Sequence, residues 1–335
     1  MRSLSTIQFG LETYFKTGTK CSANWGLAQI RPSGSVETSA LKICIASQKP
    51  NREVQVLRHI AATQTKHSGA FFVRTMQASF EIEGPTGVHQ CLVQEPLLAS
   101  LSDLQNTLNP TSLTEDILKT ALQQIFAGLD YLHSDAHVIH TDIQAKNIML
   151  SCSDPTVFEE WDAAERGEPS PRKVDGDRVI YKSRDFDLRK YMRGIGRCVI
   201  ADLGMARIGR QHEGFIQPDV YRAPEVMLCM PWNSAADIWN VGVMVWDLFE
   251  EEHMFHPGGS DRKQSNARML AEMIALLGPP PRDFLPRADE TLAYWNHEGK
   301  SSLGYWPTLL STPLTGFIRP VERVRRDPEL LFRGD

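Results

Sequence analysis

Between Val138 and Leu150 the chain reads VIHTDIQAKNIML, an apolar stretch that carries His140, Asp142 and Asn147. An unpaired polar group out of water costs roughly 2–7 kcal/mol depending on the reference state, so such groups are either paired or at work. Three further polar residues stand in comparable surroundings: Lys42 in SALKICIA, Glu53 in NREVQVLRHIAA, and Asp202 directly after the run CVIA. Together they form the set that phosphoryl transfer requires, because that reaction asks a protein for positioning and charge neutralisation more than for covalent chemistry. A lysine grips two phosphates, and a carboxylate holds the lysine. A second carboxylate, Asp142, orients the attacking hydroxyl, while Asn147 and Asp202 supply hard oxygen ligands for Mg²⁺.

The elements that must position these groups follow from periodicity. SALKICIA, from Ser39 to Ala46, is apolar and bounded by polar runs, as a short buried strand is. In the next segment Glu53, Val56, Leu57 and Ile60 fall at i, i+3, i+4 and i+7, one face of a helix, so Glu53 points inward with the apolar stripe. FFVRTMQASFEIEG and HQCLVQEPL, joined by a turn at Pro85 to Gly87, read as two strands of a hairpin. The first hundred residues are therefore expected to be mostly sheet with one helix. From Ser112 onward the pattern turns helical: Leu118, Leu122, Ile125, Leu129 and Leu132 form one stripe after an N-cap at Ser112 or Thr114. Residues 151–197 are polar and rich in proline, and read as an insertion. RCVIADLGMA returns to a buried strand, and SAADIWNVGVMVWDLFEEE is expected to be a helix buried on most faces. No internal repeat is visible.

Composition narrows the function class. A chain of 335 residues suggests two structural lobes. The net charge of −5 gives no electrostatic case for nucleic acid, and a charged partner is expected to be basic. The N-terminus has no apolar core of a signal peptide, and no uninterrupted apolar run is long enough to span a bilayer. An intracellular protein, cytoplasmic or nuclear, with no membrane partner is therefore expected. The six cysteines form no C-x-x-C pair, which argues against a zinc site and a disulfide framework and for reduced thiols.

In order along the chain, SALK, Glu53, HTDIQAKN, DLG, APE at Ala223 to Glu225 and DIWNVG resemble the signature segments of the eukaryotic protein kinase family, from about Lys42 to Pro281. Thr141, the tetrad ADLG, the insertion and LLGPPPR resemble the serine/arginine-protein kinase branch of the CMGC group and its fungal relatives. The resemblance implies an α+β, bilobal fold. A small antiparallel sheet with one helix would form residues 1–96, a mostly helical lobe would form 97–335, and ATP would bind between them. It further implies that Lys42 binds the α- and β-phosphates and pairs with Glu53, that Asp142 orients or deprotonates the substrate hydroxyl, and that Asn147 and Asp202 hold Mg²⁺. In LVQEPLL it makes Gln94 the gatekeeper and aims the Glu95 carbonyl and the Leu97 amide at adenine. His140 and Leu203 would be structural, and Asp237 would anchor the catalytic-loop backbone. The implied activity is ATP- and Mg²⁺-dependent phosphorylation of serine or threonine in protein substrates, Arg-Ser-rich ones included, by a monomer.

The pattern has departures. Gly18, Gly26 and Gly34 lack the G-x-G-x-x-G spacing of a phosphate-covering loop, so weakened nucleotide affinity is expected. Gln144 occupies the place where serine/threonine kinases carry a lysine, with Lys146 two residues later as the alternative cation; the exchange is expected to cost about tenfold in rate. The chain from about 285 matches the family poorly, leaving Arg323, Arg325 and Arg326 as candidates to pair with Glu225. Thr141 replaces the arginine that clamps a phosphorylated activation loop, and no serine, threonine or tyrosine lies between Asp202 and Tyr221. Activity independent of phosphorylation there is therefore expected. Two other readings share these features: a pseudokinase scaffold with a weakened nucleotide site, and a small-molecule phosphotransferase. YRAPEVML followed by DIWNVG argues against the second.

Overall fold

The computed structural model describes residues 14–16, 23–30, 37–44, 51–84, 87–108, 111–175, 178–181, 187–250, 253–258 and 262–296. The expectations for Gly18, Gly34, Cys21, Arg323, Arg325 and Arg326 lie outside these residues. The chain divides into two compact units: residues up to 109 with 121–140 and 145–208 form one, and 110–120, 141–144 and 209 onward form the other.

In the first unit, β1 (Tyr14–Lys16), β2 (Ala23–Ile30), β3 (Glu37–Cys44), β4 (Ala78–Gly84) and β5 (Gly87–Gln94) form an antiparallel sheet in the order β1-β2-β3-β5-β4. The side-chain period of two sorts its residues. Leu41, Cys91 and Val93 form a buried cluster on one face, with Ile43, Ala78 and Phe80 packed against it. Lys42 pairs in register with Leu92, and Ala40 with Gln94, so these four share the opposite face. A slip of one residue would drive the Lys42 ammonium into the Leu41 cluster, which is why the register is strongly specified.

Helix α1 (Arg52–Ala62) is capped by Asn51, whose side chain accepts from the Val54 N–H at 3.2 Å. Its inward stripe is the one expected, since Glu53, Val56, Leu57 and Ile60 are all buried. The expected strand FFVRTMQ is a correction. Ser68–Phe72 is a 3-10 turn, Val73 makes an isolated parallel bridge to Ile200, and β4 begins only at Ala78. The cause is Gly69: a Cβ there would collide with the Ala127 backbone carbonyl, so this glycine lets the segment lie down on a helix rather than join the sheet.

That helix is α3 (Glu115–Ser134), reached through β6 (Leu97–Ser100) and the short α2 (Leu101–Thr107). It begins one residue after Thr114 and buries Leu118, Ile125, Leu129 and Leu132. Beyond it come β7 (Val138–Ile139), β8 (Ile148–Cys152), α4 (Thr156–Gly167), β9 (Arg172–Asp175), β10 (Arg178–Tyr181), β11 (Ile195–Ile200) and β12 (Arg207–Ile208). Strands β11, β8 and β6 form a three-stranded sheet, and β12 pairs with β7. Ser151, Cys152 and 195–197, assigned to the insertion by their polarity, are thus strand, and the connection between β8 and β11 covers 153–194 with a helix and a hairpin of its own.

In the second unit, β13 (Gln211–His212), α5 (Pro224–Met227), β14 (Trp232–Asn233), α6 (Ala235–Phe249) and α7 (Arg262–Leu277) follow one another. The backbone N–H of Leu113 donates to the Leu248 carbonyl at 3.0 Å and ties residues 110–120 to α6. Helix α6 buries Ala236, Asp237, Asn240, Val241, Val243, Met244 and Leu248, but Ile238 and Phe249 are exposed, so its apolar composition overstates its burial. No helix among the described residues is long and apolar enough to cross a membrane.

Candidate active site

In the first unit the strand and helix periods bring Lys42 and Glu53 together. The Lys42 ammonium donates to Glu53 Oε2 at 2.6 Å, and both side chains are almost wholly buried. The same ammonium lies 3.5 Å from Asp202 Oδ1. Asp202 follows β11 and takes a left-handed backbone, with φ near 60°. Burial raises its pKa, but the Lys42 charge, the charge of His140, the Gly204 N–H and the Lys42 hydrogen bond together hold it below the ordinary carboxylate value, so it stays ionised. Gly204 keeps this arrangement open, since a Cβ there would stand 3.2 Å from Asp202 Oδ1.

Asn147 is buried at the end of a 3-10 turn, Ala145–Asn147, and its carbonyl accepts from the Ala201 N–H at 2.9 Å, which locks the β8 and β11 ends together. The His140 ring is fully buried and bonds the Ala201 carbonyl through Nε2 at 3.0 Å. Lys146 is exposed on the turn. Glu95 and Leu97 lie between β5 and at the start of β6. Two arginines that the sequence reading passed over grip Glu95: the buried Arg74 donates to its carbonyl at 3.1 Å, and Arg197 donates to its carboxylate at 3.2 Å while lying over the Phe71 ring at 3.9 Å. Burial pulls the Arg74 pKa down to about 10, against the pull of Glu53, Asp202 and Glu95.

In the second unit Asp142 is half-buried, and the Gln144 amide nitrogen donates to its Oδ1. Thr141 takes a left-handed backbone, φ 68°, and its N–H donates to Oδ1 of the fully buried Asp237 at 2.7 Å. The segment that follows is cross-tied by its own side chains. Gln217, also left-handed, accepts from the Ala223 N–H at 2.9 Å and donates to the Ala236 carbonyl at 2.8 Å. The buried Arg222 donates to the Ile216 and Gln217 carbonyls and to Asp219. Tyr221 donates to Asp247 at 2.6 Å, and burial, then Asp247 and Asp142, push its pKa up. Burial raises the Glu225 pKa, with Arg287, at the end of the 3-10 turn Leu285–Arg287, pulling the other way.

The donor set suits a hard divalent cation: an ionised carboxylate at Asp202 and an amide at Asn147, in a unit where the buried Lys42 is already paired with Glu53. A buried lysine held by one carboxylate beside a second, ionised one is the arrangement that phosphoryl transfer from a nucleotide calls for. The protein kinase domain model matches residues 29–319, and the chain belongs to that family. Its fold is the bilobal α+β kinase fold; a solved kinase-domain crystal structure matches with a TM-score of 0.63 at 21% identity, over 94% of this chain and 84% of the other. A serine/threonine protein kinase of Aspergillus fumigatus is 53% identical over 78% of this chain and 63% of its own length. The serine/threonine-protein kinase SRPK of Physarum polycephalum is 31% identical over 66% of this chain and 56% of its own. The chain thus spans less than two thirds of these relatives.

Proposed function

We propose that this chain is an ATP- and Mg²⁺-dependent serine/threonine protein kinase, and the observation that carries the reading is the Lys42–Glu53 ion pair at 2.6 Å with Asp202 on the same ammonium. Protein kinase domains use ATP with Mg²⁺ and act on proteins. Here Lys42 would hold the α- and β-phosphates, the Leu97 amide and the lone pair that the Arg74 bond leaves on the Glu95 carbonyl would meet the base, and Asn147 and Asp202 would hold Mg²⁺, which neutralises phosphate charge when bound. Asp142 receives the proton of the incoming hydroxyl. Glu53 fixes Lys42, and Asp237 fixes the backbone from which Asp142 projects. A non-catalytic scaffold would leave the buried charges of Lys42 and Glu53 without a use, at a desolvation cost of several kcal/mol per ion.

The likeness to the SRPK protein and the net charge of −5 support basic, Arg-Ser-rich substrates. A monomer that binds no nucleic acid belongs to the same proposal, as does an intracellular, cytoplasmic or nuclear, location, supported by the reduced thiols of Cys44, Cys91, Cys152 and Cys198. The test is transfer of labelled γ-phosphate from Mg²⁺-ATP to a generic basic protein and to an Arg-Ser peptide, with Asp142→Ala as control. Transfer abolished in the variant supports the reading, and preference for the peptide supports the substrate class. Equal signals from both proteins reject it.

A further inference from the structure

Gln144 departs from the family pattern at a place where the pattern is chemical, since a lysine there carries a charge to the transferring phosphate. A glutamine cannot do that. The structure gives it another task. Gln144 is buried, and its Nε2 donates to Asp142 Oδ1 within the same unit. Lys146, the nearest cation along the chain, is exposed on the neighbouring turn.

The terminal torsion of an aspartate is broad and roughly two-fold, so a half-buried carboxylate left alone samples many orientations. A donor anchored by burial removes that freedom, and a bond to an ionised acceptor is about twice as strong as a neutral one. The backbone beneath is held as well, by the Thr141 N–H on Asp237. Asp142 is therefore fixed at both ends of its residue, once through the chain and once through its side chain.

We propose that Gln144 is a positioning residue, the donor that orients the Asp142 carboxylate toward the substrate hydroxyl in place of the usual lysine. The inference rests on the kinase reading. In the step it serves, the serine Oγ forms its bond to the γ-phosphorus while the bond from that phosphorus to the β,γ-bridging oxygen breaks and ADP leaves. The hydroxyl proton passes to the Asp142 carboxylate. Gln144 gains and loses no proton.

The test measures kcat and the KM for ATP on the full chain for the wild type, Asp142→Ala, Gln144→Met and Gln144→Lys, with melting temperature as a check on folding. Gln144→Met keeps the volume and removes the donor; its kcat is expected to fall roughly ten- to a hundredfold, the scale of a misplaced catalytic group, with KM within about twofold. Gln144→Lys keeps a donor and is expected to match or exceed the wild type. Wild-type kcat in Gln144→Met overturns the inference, as does a loss in that variant carried by KM alone, or a Gln144→Lys protein as impaired as the methionine variant. Should Gln144→Met fail to fold, Gln144→Leu, which is apolar, of similar size and without a donor, is read in its place. A wild type no more active than Asp142→Ala overturns the kinase reading and the inference with it, an outcome separable from loss in Gln144→Met alone.

Discussion

Replacing Glu53 by Gln isolates the energetics of the central ion pair. In the native chain the Lys42 and Glu53 side chains are 4% and 6% exposed at a separation of 2.6 Å. Removing one partner of a buried pair costs about 3–5 kcal/mol, because the other charge is left in a medium that solvates it poorly. Two features reduce that figure here. Gln retains an oxygen that accepts from the ammonium, and Asp202 at 3.5 Å remains as a counter-charge, although its side chain is one-third exposed and its attraction is correspondingly screened. Glu53→Gln should therefore cost about 2 kcal/mol of stability, equivalent to a fall in melting temperature of about 4–8 °C for a domain of 150–250 residues and less for a longer one.

Urea denaturation checks this as a lower midpoint at unchanged m. The decisive comparison is a double-mutant cycle with Lys42→Met. Once the ammonium is gone, deleting the carboxylate charge removes a desolvation cost instead of exposing one, so Lys42→Met/Glu53→Gln should be more stable than the sum of the single changes by at least about 1 kcal/mol. Strict additivity would refute the reasoning, since it would mean that the two charges do not feel each other. The ATP-dependent activity of Glu53→Gln should fall with kcat/KM, because Lys42 is then drawn to Asp202.

Four further outcomes are expected. Asp237→Asn leaves the Thr141 N–H facing an amide in place of a carboxylate; kcat should fall and stability drop by about 1–3 kcal/mol, read by turnover and denaturation. Gly69→Ala should destabilise by about 1–3 kcal/mol, visible in the urea midpoint, because the new Cβ meets backbone that cannot swing aside. Glu225 has a folded pKa above its ordinary 4.5, so its ionisation opposes folding and the stability it contributes in acid is lost as pH rises; Glu225→Gln should be the more stable protein near neutrality and lose that advantage below about pH 4.5. Phosphatase treatment should leave the rate of phosphate transfer unchanged, because Arg222 and Gln217 tie the segment before Ala223 through carbonyls and side chains already present; a loss of activity would contradict this.

What the sequence alone determined is what period and composition express locally. The apolar run put Lys42 in a buried strand, and the 3.6-residue repeat put Glu53 on one face with Val56, Leu57 and Ile60, so both ends of the ion pair were legible before any fold was known. The order of HTDIQAKN, DLG, APE and DIWNVG carried the family. Where a residue's conformation depends on a distant partner, the sequence was silent or misleading. Phe71 to Gln77 has strand composition, yet Gly69 against Ala127 of α3 pulls its start into a turn, and apolar Ile238 and Phe249 stay exposed on a helix that reads as buried on most faces. The grip of Arg74 and Arg197 on Glu95 spans separate elements, and the Thr141–Asp237 bond, between residues 96 apart, was foreshadowed only by the family resemblance. Such contacts are tertiary because their partners are chosen by topology: a polar group tells the reader that it must be satisfied, but only the packed chain decides by whom.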